Sequence, residues 1–282
     1  MTSVIPLEEL LRNVRTLATF PPALAMLNVA INNDEAPDKI AAIISSDSDL
    51  TARLLRLANS GYYGVSGEID SPARAIATIG IKEVRHLALA SNAISLFPGI
   101  DAELISVEQF WYHSLGCGIA SRVIGSRNGN GEFAFTAGLL HDIGRLVIYL
   151  YMPGKALQIL EETRRSQKHQ YIVEQEILQY DHGTIGAALL KEWLFPQELV
   201  NSVKYHHDPA LSPDSETPSH IVHLANLLVH SMNIGNSGTI FFPEIVEKDW
   251  ESVGLSSKDS DSITDQIQSE YDSALALFSD LL

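Results

Sequence analysis

The sequence predicts an all-α protein. Three observations carry that reading. Apolar residues recur at helical spacing in nearly every segment, convincing alternation of period two is absent, and Pro, Ser, Asp and Gly punctuate the chain where helices begin and end.

Leu7, Leu10, Leu11, Val14 and Leu17 fall at i, i+3, i+4, i+7 and i+10, one apolar stripe. Pro21 and Pro22 open a second helix carrying Leu24, Leu27 and Ile31, and Asn32, Asn33 and Asp34 end it. Residues 38–45 and 48–58 make two more, with Asp47 placed to cap the latter. Ser71 and Pro72 start another, closed by Gly80, and a helix over 81–97 follows. The stretch 97–106, with Pro98 and Gly99, reads as a joint.

The second half opens on a capping box at Ser106 and Gln109, after which Phe110, His113, Cys117 and Ile124 share a face. A glycine-rich loop at 128–131 precedes an apolar helical run from Phe133 that contains His141 and Asp142. Pro153 and Gly154 break the chain before a charged amphipathic helix that runs to Arg165. Asp181 precedes a helix carrying Ile185, Leu189, Leu190 and Trp193, and Pro196 launches one that ends at His206 and His207. Residues 212–219 form a polar linker, residues 220–231 are helical, and 243–253 and 257–278 add two final helices. No internal repeat or low-complexity tract stands out.

At 282 residues the chain is long enough for a substantial core, and a hydrophobic content of 45% is that of an ordinary globular protein. Nineteen basic against 35 acidic residues give a net charge of −16, which repels nucleic-acid phosphates and anionic lipid. A single cysteine excludes an internal disulfide and suits a reducing compartment. The N-terminus carries no basic stretch followed by an apolar core, and the longest apolar run, residues 137–151, is interrupted by His141, Asp142 and Arg145. These features point to a cytoplasmic protein without a membrane span. No Gly-x-Ser-x-Gly elbow, phosphate-binding glycine loop or Cys-x-x-Cys pair is present.

The chemistry lies in the histidines. A buried imidazole beside a buried carboxylate is costly unless a charge neutralises the pair, and a divalent cation does so. His141 and Asp142 are joined along the chain by His113, His182, His206 and His207, each within or beside an apolar helical segment. Imidazoles and carboxylates suit Fe, Mn, Zn or Ni, and a bridging carboxylate can hold two ions that activate water against a phosphoryl group. His220, His223 and His230 read as a solvated face, with one of them a candidate to substitute as a ligand, His86 and His169 have no evident partner, and Cys117 reads as a small buried side chain.

That order of residues resembles the helical HD metal-dependent phosphohydrolase superfamily. The whole chain, from residue 7 to 250, is more specifically similar to the HDOD (HD-related output domain) family. The matching strings run from Ile44 through Asp47, Thr51 and Asn59 to Ser60, from Ala75 to Gly80, from Asp181 and His182 through Gly186 and Trp193 to Pro196, and over His206, His207 and Pro209. The resemblance implies an N-terminal helical subdomain (residues 1–100) packed on an HD-like helical core (101–235), followed by a C-terminal helical extension (236–282). It implies a bacterial signalling role, with either a signalling protein or a phosphorylated small molecule as partner. It also implies one or two divalent ions: one on His113, His141, Asp142 and Asn226, the other on Asp142, His182, His206 and His207. Asp142 would be catalytic and Arg145 a phosphate contact if the protein is a phosphohydrolase.

Three positions depart from the HD enzymes. Position 226 is Asn where they carry Asp, so the first ion loses a charged ligand. Arg145 stands where they often carry Lys. The residues after His207 are Asp208, Pro209 and Ala210, unlike the Gly-Tyr-Pro string of the enzymes that hydrolyse cyclic di-GMP, which argues against that substrate. Residues 75–89 superficially resemble a helix-turn-helix with Lys82 and Arg85 in its second helix. Ile76 occupies a position where that motif wants a small residue, and core packing is the better reading.

Overall fold

A computed structural model describes residues 5–17, 22–59, 68–81, 84–85, 87–88, 97–127, 131–213 and 218–278. His86, Lys82, Ser60, the loop at 128–130, most of the helix expected over 81–97 and the middle of the 212–219 linker lie outside those residues. The described residues are helical, without a strand. They form two compact units, residues 19–96 with 268–282, and residues 1–18 with 97–267.

In the first unit α2 (Pro22–Asn32), α3 (Pro37–Ser45), α4 (Ser48–Ala58) and α5 (Pro72–Ile79) follow one another. Their ends are set by local chemistry. Asp47 caps α4 by accepting the Leu50 backbone N–H at 3.0 Å, and Ser71 caps α5. Gly80, at φ +89°, takes the left-handed backbone that closes α5. Leu24, Leu27, Ile40, Ile44, Leu54 and Ala75 are buried between these helices. Arg85, a candidate DNA contact, is itself buried and donates to Asn28 Oδ1 at 3.0 Å, so it is spent inside the unit.

The second unit begins with α1 (Leu7–Leu17) and continues with α6 (Val107–Ser126), α7 (Gly131–Leu140), α8 (Ile143–Tyr151), α9 (Pro153–Ser166) and α10 (Gln170–Leu178). Then come α11 (His182–Glu192), α12 (Gln197–Lys204), α13 (Pro218–Ser231) and α14 (Glu247–Glu251). The last helix, α15 (Ser260–Phe278), is counted with this unit as far as Ile267 and with the first unit from Gln268. Helix α7 packs among α6, α12 and α13, while α8 lies on α11. Phe110 and Trp111, both buried, meet edge to face at 5.3 Å inside this core. Tyr180 donates to the Ile5 carbonyl at 2.8 Å and ties the start of the chain to the unit.

Residues Phe133–Tyr151 are apolar and long enough by composition to cross a membrane, yet 89% of that window is buried inside the protein. The stretch is α7 and α8, not the continuous helical run expected from the sequence. It breaks at His141 and Asp142, where Asp142 has φ −97° and ψ 6°. Successive residues of an unbroken α-helix point about 100° apart. The break frees both side chains to aim at one centre.

Candidate metal centre

Asp142 is the hub. Its Oδ1 lies 3.0 Å from His182 Nε2, 3.0 Å from Arg145 Nε and 3.7 Å from His206 Nε2, and its Oδ2 lies 3.4 Å from His141 Nε2. His207 approaches from the far side, with its Nε2 2.8 Å from His182 Nε2. All of these groups are buried except His207, which is partly exposed. Each element is placed by its own local chemistry. Asp181 caps α11 by accepting the Thr184 N–H at 2.7 Å, which puts His182 in the first turn. His206 and His207 follow the end of α12. Gly144 lets α8 start against α11, because a Cβ there would collide with the His182 carbonyl.

The rings are turned by what their Nδ1 atoms do. His141 Nδ1 donates to the Gly138 carbonyl at 2.7 Å and His206 Nδ1 to the Val203 carbonyl at 2.7 Å. His182 Nδ1 donates to Glu174 at 2.6 Å. Carbonyl and carboxylate oxygens only accept, so each Nδ1 holds a proton and each ring turns its Nε2 toward Asp142. Those inward atoms are the unsatisfied ones. His141 Nε2, His206 Nε2 and both Asp142 oxygens are buried without a well-aligned hydrogen bond. Leaving a buried polar atom unpaired costs about 1–3 kcal/mol each. A cation among them would satisfy all four, so the donor set fits a divalent metal, and it suits a transition metal through its imidazoles.

The electrostatics agree with that chemistry. Burial alone would raise the Asp142 carboxyl, but Arg145, His141 and His182 outweigh it and hold the group well below the usual carboxylate range. Burial pushes His206 and His207 well below the ordinary imidazole value, so both rings are neutral near pH 7. His182 behaves oppositely. Burial and the Arg145 charge push it down, but Glu174 and Asp142 prevail and lift it to about 9. Burial works against the Arg145 charge too, yet Asp142 and Glu174 raise its pKa above the ordinary value.

Two groups of potential ligand atoms result, each with all its atoms within 4.8 Å of one another: Asp142, His182, His206 and His207, and then His113, Cys117 and His141. The first is the set the sequence reading assigned to one ion. For the other ion that reading paired His113 and His141 with Asp142 and Asn226, and overlooked Cys117. The thiol is buried, as expected, but its sulfur lies 3.4 Å from His113 Nε2, which is also 3.1 Å from Asn226 Oδ1. The i, i+4 spacing of His113 and Cys117 on one helix was the available signal.

Other expectations need correction. His223 and His230 are not on a solvated face. His223 Nδ1 donates to the His206 carbonyl at 2.7 Å, and the His230 ring lies 4.5 Å from that of His113 and stacks on Phe242 at 4.8 Å. His169 does have partners, a stack on Tyr171 and the Phe241 carbonyl at 3.3 Å. Glu174, which fixes His182, was missed, and nothing in its sequence setting marks it. A cavity of about 280 Å³ adjoins the cluster, lined by Arg145, Tyr171, His207, Asn226, His230 and Phe242 among others. Tyr171 stacks on His207 at 4.4 Å along its wall.

With that geometry in view, the comparisons with known proteins are consistent. The HDOD domain family matches residues 17–209. An uncharacterized protein of Treponema pallidum (strain Nichols) is 24% identical over 202 residues, which are 70% of this chain and 39% of that protein. The chain therefore spans about two fifths of the length of this curated relative. Among solved structures, a provisionally named phosphohydrolase from Shewanella amazonensis SB2B superposes with a TM-score of 0.77 at 24% identity, covering 97% of this chain and 98% of that one. An HDOD domain protein with unknown function from Geobacter sulfurreducens gives 0.75 at 22% identity, covering 96% and 99%. A provisionally named signal transduction protein from Marinobacter aquaeolei VT8 gives 0.71 at 18%, covering 99% of this chain and 60% of that one. Matched by the family over more than half its length and by these structures in fold, the chain belongs to the HDOD domain family.

Proposed function

We propose that this protein is a regulatory HDOD module of bacterial signalling whose Asp142, His182, His206 and His207 hold a divalent transition metal, and that the ion serves to order the site rather than to turn over a substrate. The observation that carries this reading is the ring of buried, unsatisfied acceptor atoms around Asp142. Charge favours regulation over hydrolysis. The Asp142 carboxylate is shared with Arg145 at 3.0 Å, and position 226 is a neutral Asn. Two divalent ions of a water-activating pair would face too little negative charge here. A signalling protein is the partner that fits the family's role, and the net charge of −16 argues against nucleic acid.

A second reading, a metal-dependent phosphohydrolase acting on a nucleotide or other phosphate ester, is favoured by one observation. Arg145 lines the cavity beside the cluster, and its Nη1 is buried without a partner. In that reading the metal supplies Lewis acidity and an activated water. Arg145 would hold the phosphate, and His207 and Tyr171 would wall the site against bulk water. Metal analysis of protein purified without chelators, followed by a phosphatase screen with added Mn²⁺ and Fe²⁺, separates the two. Bound metal without turnover is expected. Turnover that Asp142→Ala abolishes would establish the hydrolase, and protein that takes up no metal under any loading would refute both.

A further inference from the structure

We infer that the cavity beside the Asp142 cluster binds a nucleoside monophosphate, with its phosphate on Arg145 and its base stacked against Phe242. The inference rests on the regulatory reading for the ligand's role as a signal, and it names the small molecule such a module would sense. Charge is the first argument. The chain carries 35 acidic residues and a net charge of −16, yet among the described residues no Asp or Glu lines this cavity of about 280 Å³. Its wall holds one guanidinium, four imidazoles and the neutral Asn226. A passage built only to admit cations would be lined with carboxylates, whereas this wall favours an anion. Arg145 is 1% exposed, its Nε faces Asp142 at 3.0 Å, and its Nη1 is buried with no partner. A phosphate oxygen supplies the acceptor that Nη1 lacks. Asn226 costs the metal site a charge, but here it keeps a carboxylate away from that phosphate.

The rest of the wall selects a flat ring that also hydrogen-bonds. Two stacked pairs line the cavity: Tyr171 on His207 at 4.4 Å and His230 on Phe242 at 4.8 Å, with interplanar angles of 11° and 9°. Phe242 belongs to an irregular, largely apolar stretch over residues 239–246 and is 45% exposed. An aromatic face left half in water at the edge of a cavity gains contact when another ring covers it. A purely apolar ring would leave Gln170 unsatisfied. That side chain donates Nε2 to Glu174 at 3.1 Å, so its buried Oε1 remains an acceptor without a partner. Nucleobases join a stacking face to N–H donors along one edge. The volume lies at the small end of ligand pockets, which run from about 300 to 1,000 Å³, and suits one nucleotide rather than two.

Isothermal titration of the full chain with AMP, GMP, CMP and UMP tests this, with ribose 5-phosphate and the matching nucleoside as controls. At least one nucleotide should bind, and both controls should bind at least about tenfold more weakly, since each lacks one of the two anchors. Phe242→Ala should cut the preference for the nucleotide over ribose 5-phosphate by about fivefold or more, the low end of base–aromatic stacking. No binding by any of the four nucleotides overturns the inference. So does a nucleotide that binds no better than either control, or a preference that Phe242→Ala leaves intact. Should Phe242→Ala fail to fold, the wild-type comparison of nucleotide, sugar phosphate and nucleoside decides alone. Metal content and free phosphate are measured on the same samples. A chain that holds metal but binds no nucleotide loses this inference alone, and one that binds a nucleotide without metal upholds it and loses the metal reading. Phosphate release would uphold the binding site and replace the regulatory reading with the hydrolase.

Discussion

Glu174 grips His182 twice, its Oε2 accepting the backbone N–H at 2.8 Å and the ring Nδ1–H at 2.6 Å, with both side chains fully buried. One oxygen thereby sets the start of α11 and the rotation of the ring that faces Asp142. The carboxylate needs no contact with an ion to govern one. Removing such an outer partner typically costs 10–100-fold in metal affinity. Glu174→Ala should therefore weaken metal binding by about that factor, read by competition with a chelating dye. Unchanged affinity would show that the ring is held by packing alone.

The same contact makes the metal-free protein sensitive to pH. His182 sits at about 9 in the fold, above the ordinary value of 6.5. A raised folded-state pKa contributes stability that is fully present below 6.5 and is lost as pH climbs through about 9. The metal-free chain should thus lose thermal stability across that window. Metal uptake near pH 7.5 should release the His182 proton, since coordination at Nε2 displaces it. Calorimetry in buffers of different ionisation enthalpy counts that proton. Binding with no proton release would contradict the assignment of His182.

Asn226 Oδ1 faces His113 Nε2 at 3.1 Å but brings no charge. Asn226→Asp should tighten the binding of a divalent ion at least about tenfold. A unit charge at ion-pair distance exceeds the roughly 1.4 kcal/mol this requires, even at an effective dielectric constant of 20. Isothermal titration with Zn²⁺ measures it. Weaker or equal affinity would place residue 226 outside the ligand shell.

Gly144 is a packing requirement. Its missing Cβ is where the His182 carbonyl sits, with Gly186 N 2.8 Å from the same point. Gly144→Ala must push α8 from α11, and backbone atoms cannot move aside as a flexible side chain can. A destabilisation of about 3 kcal/mol or more is expected from overpacking on this scale, read in urea denaturation. The same shift would separate Asp142 from His182, so metal affinity should fall with it. Wild-type stability in this variant would mean the helices are looser than described.

Helical periodicity, the caps at Asp47, Ser71 and Asp181 and the break at Pro153 were legible because each depends on residues a few positions apart. So were His113, His141, Asp142, His182, His206 and His207 as a set, since the resemblance carried their order. Glu174 was not legible. A buried glutamate eight residues before His182 looks like any polar residue on an amphipathic helix until the turn at Tyr180 and Asp181 folds α10 back toward α11.

What the sequence determined alone is the all-α class, the places where helices start and stop, and the inventory of chemical groups, because these follow from short-range sterics and hydrogen bonding. Tertiary structure decided which groups meet. It broke the expected run at His141, turned Cys117 toward His113, and drew His230 out of solvent against Phe242. Those outcomes depend on the packing of segments as far apart as α6 and α13, where a ligand atom must be right to within an ångström, and spacing along the chain does not encode distances across it.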